Sequence, residues 1–208
     1  MPVPRVGLLG GTFDPPHVGH LVVAAEVGEA LALDSVRLVV ANDPWQKSAE
    51  RRITPVGTRF RLTMAAAATP DWESPGRNSP AVAAADVEIR LGGRTTTART
   101  LGHLRRDEPD VDFVVILGVD AALRVPTWWD AGECLRGVTV ALVDRPGAPA
   151  ADIPGVINRA QRVEATQLDI SSTAIRRRVA DRLSIRHLVP PEVECLIDTE
   201  GLYRRDCD

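Results

Sequence analysis

The 208-residue sequence predicts an α/β fold with a doubly wound parallel sheet, and three observations support it. Strand-like and helix-like patterns alternate along the chain. Residues 112–117 form a nearly continuous apolar run, as expected of a strand buried on both faces. A glycine-rich turn directly follows the first predicted strand. Because ligands bind at the carboxyl ends of the strands in such folds, we expect the functional site there.

The predicted strands share short apolar runs rich in β-branched residues. They comprise residues 6–9, 35–41, 84–90, 112–117, 138–143 and 162–168. Helices are predicted between and after them over residues 21–27, 97–106 and 173–182. A further helix is predicted to run through Met64, with Thr54 as its N-cap and Pro55 as its first helical residue. Residues 42–53, 69–80 and 145–155 are polar or rich in proline and glycine, which predicts loops.

The composition is that of an ordinary globular protein, with 44% apolar and 25% charged residues, and the length predicts one domain over residues 1–208. The formal net charge of −3 gives no support to a nucleic-acid partner, and no apolar run is long enough to span a bilayer. The first apolar segment is broken by Gly10 and Gly11, unlike a signal peptide, and the three cysteines are far apart. We therefore expect a cytoplasmic protein with reduced thiols and no membrane partner.

The most informative segment is GGTFDPPHVGH at residues 10–20, which places a glycine turn and two histidines between a strand and a helix. Glycines let the backbone approach a ligand closely, and free N–H groups at a helix start favour an anion. The spacing matches neither GxGxxG nor GxxxxGKS/T. It predicts a polyphosphate site with backbone contacts from Gly10, Gly11, Thr12 and Phe13 and side-chain donors at His17 and His20. The alternative is a tight turn with structural histidines.

A second anion-binding signal is ISSTAIRRR at residues 170–178. The hydroxyls of Ser171, Ser172 and Thr173 can cap a helix beside its free N–H groups, and Arg176 lies one turn into that helix. A planar guanidinium suits phosphate oxygens. These residues are candidates to complete the polyphosphate site, and the alternative is an ordinary capped helix with a basic face.

Two adjacent tryptophans, Trp128 and Trp129, stand out in a chain with 4% aromatic residues. A flat heteroaromatic ring stacks well on an indole, and a charged pyridinium is attracted further to its face. Upstream, the hydroxyls and N–H groups of Thr95 and Thr97 can bind a carboxylate. The alternatives are a core tryptophan beside a surface lid, and threonines that only cap a helix.

Together these motifs resemble those of the bacterial nicotinate mononucleotide adenylyltransferase family, part of the nucleotidyltransferase superfamily. GTFDPPHVGH and ISSTAIRRR match the two superfamily motifs. Five further segments match the family in order and spacing: PWQK from residue 44, GGRTTTARTL from 92, LGVDA from 117, VPTWW from 125 and VDRPG from 143. The resemblance implies a Rossmann-like sheet of the nucleotidyltransferase type and adenylyl transfer from ATP to nicotinate mononucleotide in NAD biosynthesis.

The resemblance also implies roles for individual residues. Catalytic roles fall to His17, His20, Lys47 and Arg176, and further ATP contacts to Gly118, Asp120, Ser171, Ser172 and Thr173. Contacts to nicotinate mononucleotide fall to Lys47, Thr95, Thr97 and Trp128. The C-terminal part, about residues 169–208, is expected to be helical and to complete the ATP site. Mg²⁺ is expected to bind through the ATP phosphates rather than in an all-protein cage.

Three positions depart from the family pattern: Arg94, Thr96 and Val119 stand where the family has proline, tyrosine and alanine. Thr96 and Val119 lie close to the expected acceptor, so the identity of the acceptor stays open. The alternatives are another phosphorylated acceptor, nicotinamide mononucleotide included, and a catalytically weak nucleotide-binding regulator. The sequence also leaves a homo-oligomeric state open.

Overall fold

A parallel sheet forms the centre of the protein in the computed structural model, which describes residues 2–44, 53–68, 80–94, 96–128, 130–144, 154–166 and 168–204. Its six strands are β1 (Arg5–Gly11), β2 (Ser35–Val40), β3 (Ala81–Ala85), β4 (Asp112–Gly118), β5 (Thr139–Asp144) and β6 (Ala160–Glu164). They lie in the order β3-β2-β1-β4-β5-β6, and all neighbours are parallel. The strand order reverses between β1 and β4, which is where doubly wound sheets bind ligands. The predicted fold class is confirmed.

Helices pack on the sheet and extend beyond its edge. Those in the described part of the chain are α1 (Val18–Ala30), α2 (Val56–Ala67), α3 (Val87–Leu91), α4 (Thr97–Asp107), α5 (Val119–Ala122), α6 (Ala131–Cys134), α7 (Ser172–Ala180) and α8 (Pro191–Thr199), with a 3₁₀ turn at Val125–Thr127. None of these described helices has both the length and the apolar character needed to cross a membrane.

Two apolar cores cover the sheet, because successive residues of a strand point to opposite faces. Leu8 and Val115 belong to one core, to which α4 contributes Leu101. Val114 belongs to the other core, to which α1 contributes Val27. The strand ends are therefore fixed from both faces, and the loops that follow them start from rigid positions.

A third apolar cluster holds the C-terminal helices against the rest of the protein. Leu62 of α2 packs there with Ile175 of α7 and with Val193 and Ile197 of α8. Ile175 is fully buried and directly precedes Arg176. This cluster therefore sets the position of the helix that carries the second anion-binding motif.

The predicted strand over residues 84–90 is wrong. The strand β3 ends at Ala85 and the short helix α3 follows. The alternation of Val87, Ile89 and Leu91 fits a strand, but a four-residue spacing also places the first and last of these on one helix face. Val87 and Leu91 pack in the same core, so tertiary burial favours the helix.

Two predicted boundaries also move. Pro55 is the N-cap of α2 rather than its first residue, because its ψ of 140° is extended, and the helix begins at Val56. Thr54 therefore lies outside the helix. The last strand ends at Glu164 instead of continuing to residue 168. Most of the three predicted loops lies outside the described residues.

Candidate active site

Two cavities lie at the carboxyl ends of β1 and β4. The histidine cavity, about 480 Å³, is lined by residues that include His17, His20, Gly118 and Asp120. The tryptophan cavity, about 360 Å³, is lined by residues that include Gly10, Gly11, Thr12, Thr97 and Trp128. At the end of β1, Leu9 lines the histidine cavity and its neighbour Gly10 lines the tryptophan cavity. At the end of β4, Gly118 lines the histidine cavity and Leu117 lines the tryptophan cavity. The two strand ends therefore separate two adjoining sites.

The loop between β1 and α1, residues 12–17, is buried along its whole length. We call it the phosphate loop. Phe13 has a φ of 50°, in the left-handed region, and its ring lies against Gly11. A Cβ atom on Gly11 would lie 2.7 Å from that ring, closer than real contacts allow. The loop can turn this tightly only because residue 11 is glycine.

The two histidines of the first motif lie against each other, with ring centroids 3.7 Å apart and ring planes tilted by 32°. His17 is the N-cap of α1, and His20 lies in its first turn rather than before the helix. The backbone N–H of His17 donates to Nδ1 of His20 at 3.1 Å, so a neutral His20 carries its proton on Nε2. Burial lowers the pKa of His17 to about 4, so this ring is neutral at pH 7.

The Nδ1 atom of His17 is buried and has no hydrogen-bond partner within the described part of the chain. Leaving such a nitrogen unsatisfied costs about 1–3 kcal/mol. The His17 ring also lines the histidine cavity, so it is a candidate contact for a ligand bound there.

The second motif lies directly against the phosphate loop. Ser172 Oγ donates to the carbonyl of Pro15 at 2.7 Å, and Nη1 of Arg176 donates to the carbonyl of Asp14 at 2.7 Å. A second guanidinium nitrogen of Arg176 donates to Thr173 Oγ1 at 3.1 Å. Ser171 caps α7 as predicted, since its Oγ accepts from the N–H of Ala174. The structure therefore brings the two motifs together.

Sequence reasoning missed Arg59, whose side chain joins two loops of the site. It is 1% exposed and donates to the carbonyls of Thr12 at 2.8 Å, Thr54 at 2.9 Å and Asn42 at 3.2 Å. The signal in the sequence was an arginine on the apolar side of a helix, three residues before Leu62. A guanidinium is buried at such a position only when hydrogen-bond acceptors held by the fold surround it.

Sequence reasoning also missed Tyr203, the one tyrosine of the chain. Its hydroxyl donates to Oδ1 of Asp14 at 2.9 Å. Burial and the neighbouring Asp14 carboxylate raise the pKa of Tyr203, so the hydroxyl stays protonated. Only the rarity of this residue type near the C-terminus could have drawn attention to it.

The tryptophan cavity combines one aromatic face with polar groups. Trp128 is half-buried and packs against the core that contains Leu101. Thr97 and Thr100 line the same cavity, and so does Glu88, a residue that the sequence reasoning overlooked. Glu88 accepts from the hydroxyl of Thr100 at 3.0 Å. The cavity can therefore hold a flat ring beside hydroxyl and carboxylate groups.

The helix N-cap in the threonine triplet is Thr96, whose Oγ1 accepts from the N–H of Arg99 at 3.3 Å. This hydroxyl satisfies a free N–H of α4, which a tyrosine at the same position could not do in this way. Thr97 is the first helical residue and lines the tryptophan cavity. Lys47 and Thr95 lie outside the described residues, so their roles, like those of the other site residues, stay predictions.

A family model described as cytidylyltransferase-like matches residues 8–178. The chain belongs to the cytidylyltransferase-like family. Relatives named as probable nicotinate-nucleotide adenylyltransferases include one from Corynebacterium kroppenstedtii, 37% identical over 202 residues, which cover 96% of this chain and 91% of the relative. Another, from Streptomyces coelicolor, is 37% identical over 196 residues, covering 94% and 99%. The resemblance predicted from the sequence is confirmed.

Solved structures show the same cytidylyltransferase-like fold at low sequence identity. Plasmodium falciparum nicotinic acid mononucleotide adenylyltransferase complexed with NaAD aligns with a TM-score of 0.76 at 15% identity, covering 96% of this chain and 97% of that chain. The same enzyme complexed with APC aligns with a TM-score of 0.73 over the same shares. The family match includes both motifs but ends before Tyr203.

Proposed function

We propose that this protein transfers the adenylyl group of ATP to nicotinate mononucleotide, forming nicotinate adenine dinucleotide and pyrophosphate in NAD biosynthesis. The observation that carries the proposal is the pair of adjoining cavities, one lined by two histidines and the other by a tryptophan. The names of relatives at 37% identity support it.

ATP is assigned to the histidine cavity. His17 and His20 line it and are proposed as donors to phosphate oxygens, beside the N-terminus of α1, whose free N–H groups favour an anion. Gly118 and Asp120 line the same cavity. Arg176 lies beside the phosphate loop, which supports the proposal that residues 169–208 complete the ATP site.

Nicotinate mononucleotide is assigned to the tryptophan cavity. The indole of Trp128 offers a face for the pyridinium ring, and Thr97 offers a hydroxyl. The backbone of Gly10, Gly11 and Thr12 lines this cavity, so the strand end is placed to contact a phosphate that lies between the two substrates. Lys47 and Thr95 are proposed to add contacts to the acceptor.

The chemistry is an in-line displacement at phosphorus. A phosphate oxygen of nicotinate mononucleotide forms a bond to the α-phosphorus of ATP, the bond from that phosphorus to the bridging oxygen breaks, and pyrophosphate leaves with the electron pair. A phosphate monoester is already anionic near neutral pH, since its second pKa is about 6, so no strong general base is needed. The protein therefore acts by positioning the reactants and by offsetting negative charge.

Nucleotidyltransferases of this kind typically use a divalent metal. No group of three or more histidine, cysteine, aspartate or glutamate side chains in the described residues is arranged to hold one. Mg²⁺ is usually held by substrate phosphates with one or two carboxylates, and Asp120 in the histidine cavity fits that role. Bound there, Mg²⁺ would offset the charge of the phosphate oxygens.

Nicotinamide mononucleotide is a second candidate acceptor, and one observation favours it. The carboxylates of Asp43 and Glu88 both line the tryptophan cavity and disfavour a third carboxylate, that of the acid, nearby. The deciding experiment mixes the purified protein with ATP and Mg²⁺ and measures pyrophosphate release with the acid and, separately, with the amide. Preference for the acid supports the proposal, preference for the amide replaces the acceptor, and release with neither overturns the proposed function.

A further inference from the structure

The hydrogen bond between Tyr203 and Asp14 joins the two ends of the described chain across 189 positions. Tyr203 follows α8, and its backbone has a φ of 62°, in the left-handed region. A bulky residue there costs about 1–2 kcal/mol. The side chain is therefore held in this place against the local backbone preference.

Asp14 is 1% exposed and is held at two of its atoms by the C-terminal part of the protein. Its carbonyl accepts from Nη1 of Arg176 at 2.7 Å, and its carboxylate accepts from the Tyr203 hydroxyl at 2.9 Å. A buried carboxylate needs hydrogen bonds in order to remain in the interior. The hydroxyl thus fixes the side chain while the guanidinium fixes the backbone.

A line of contacts leads from this bond to the histidines. Asp14 follows Phe13, whose ring lies edge-on against the ring of His20 with centroids 4.9 Å apart. The His20 ring in turn lies against that of His17. Any displacement of Asp14 moves its neighbour Phe13 and, through it, the proposed phosphate donors. Tyr203 itself is not among the residues that line the two cavities.

We propose that Tyr203 is a positioning residue, which holds the phosphate loop through Asp14 so that the histidines meet the phosphates of ATP. The inference rests on the proposed function, because its kinetic test measures adenylyl transfer. Because burial raises the pKa of Tyr203, its hydroxyl donates at every working pH and adds no limb to a pH–rate profile. The residue acts by geometry and transfers no proton.

The test is Tyr203→Phe, which keeps the ring and removes the donor. We expect kcat to fall about tenfold and the dissociation constant for ATP to rise several-fold, since small displacements of catalytic groups are costly. The KM for nicotinate mononucleotide should stay within twofold, because the groups proposed to hold its ring, Trp128 and Thr97, lie outside the phosphate loop. The matched control is Arg204→Ala, which removes an exposed side chain at the next position and should leave all three values unchanged.

A kcat of Tyr203→Phe within twofold of the wild type would overturn the inference. A fall in active protein with unchanged kcat per folded molecule would also overturn it, since that is a structural role. If Tyr203→Phe does not fold, the substitute test is Asp14→Asn, which leaves a weaker acceptor for the Tyr203 hydroxyl. We expect kcat to fall about threefold in this variant and the dissociation constant for ATP to rise, with the KM for nicotinate mononucleotide unchanged. If the wild type uses neither acceptor, the proposed function fails, and the ATP dissociation constants of the same variants still decide the inference.

Discussion

Two loops near the cavities, the phosphate loop and the segment before α4, are held in different ways. The phosphate loop is buried and takes its bonds from distant residues: Arg59, Ser172, Arg176 and Tyr203, at separations of 47, 157, 162 and 189 positions. Residues 92–94, before α4, are held by Arg99, which donates to the carbonyls of Gly92 and Arg94 from seven and five positions away, and by one distant residue, Asn42, which donates to the carbonyl of Gly93. The phosphate loop is thus fixed by the whole fold, and residues 92–94 mainly by nearby sequence. A substitution at residues 92–94 should therefore disturb the rest of the fold less than one in the phosphate loop.

The largest effect should come from the phosphate side. We expect His20→Ala to lower kcat by about 100- to 1,000-fold while the protein stays folded, because one well-placed donor to a developing anion contributes about 2.7–4 kcal/mol. Steady-state kinetics with circular dichroism would measure this. His103→Ala, which removes a side chain that contacts Asp107 at 3.2 Å outside both cavities, is the control and should be fully active. Near wild-type turnover of folded His20→Ala would contradict the assignment of this cavity.

The distant bonds of the phosphate loop should also matter for stability. We expect Arg59→Met to lower the free energy of unfolding by about 3 kcal/mol, because three carbonyls lose a buried donor, and to lower Tm by about 6–12 °C. Arg61→Met, on the same helix, removes an exposed ion pair with Glu200 and should cost about 1 kcal/mol or less. Thermal unfolding of both variants checks the difference. Equal losses would contradict the expectation that the buried bonds of Arg59 stabilise the fold more than an exposed ion pair does.

The buried His17 should make stability depend on pH. Its pKa is about 4 in the folded protein and near 6.5 in an unfolded chain, so the unfolded state binds more protons between these values. Its contribution is complete above pH 6.5 and is lost as the pH falls towards 4, by about 3 kcal/mol. Urea unfolding at pH 7.5, 5.5 and 4.5 should therefore show a shallower loss for His17→Asn than for the wild type. The same slope in both proteins would show that the folded ring is not desolvated.

The smallest effect should be confined to the ring side. We expect Trp128→Ala to raise the KM for the pyridine nucleotide about tenfold, since aromatic stacking contributes about 0.5–1.5 kcal/mol, and to leave the KM for ATP unchanged. Trp128→Phe keeps an aromatic face and should stay within about threefold of the wild type. Initial rates at varied concentrations of each substrate would separate the two constants. A rise in the KM for ATP alone would reverse the assignment of the cavities.

The sequence was sufficient for the fold class and for the two motifs, because both depend on local patterns. It could not show which cavity each residue lines. Leu9 and Gly10 are neighbours at the end of β1 but line different cavities, since adjacent strand residues point to opposite faces. The bond from Tyr203 to Asp14 was equally hidden, because no periodic pattern links residues 189 positions apart. The predicted strand over residues 84–90 was wrong because the spacing of Val87, Ile89 and Leu91 fits a strand, while Val87 and Leu91 also fit one face of a helix.

The late position of Tyr203 has a consequence for synthesis. A ribosome releases the phosphate loop early, at residues 12–17, but its partners Ser172, Arg176 and Tyr203 emerge after most of the sheet. A nascent chain can pair its first strands long before that loop acquires its final support. Premature termination between the end of β6 and residue 172 would therefore leave all six strands beside a loop that still lacks its bonds from Ser172, Arg176 and Tyr203.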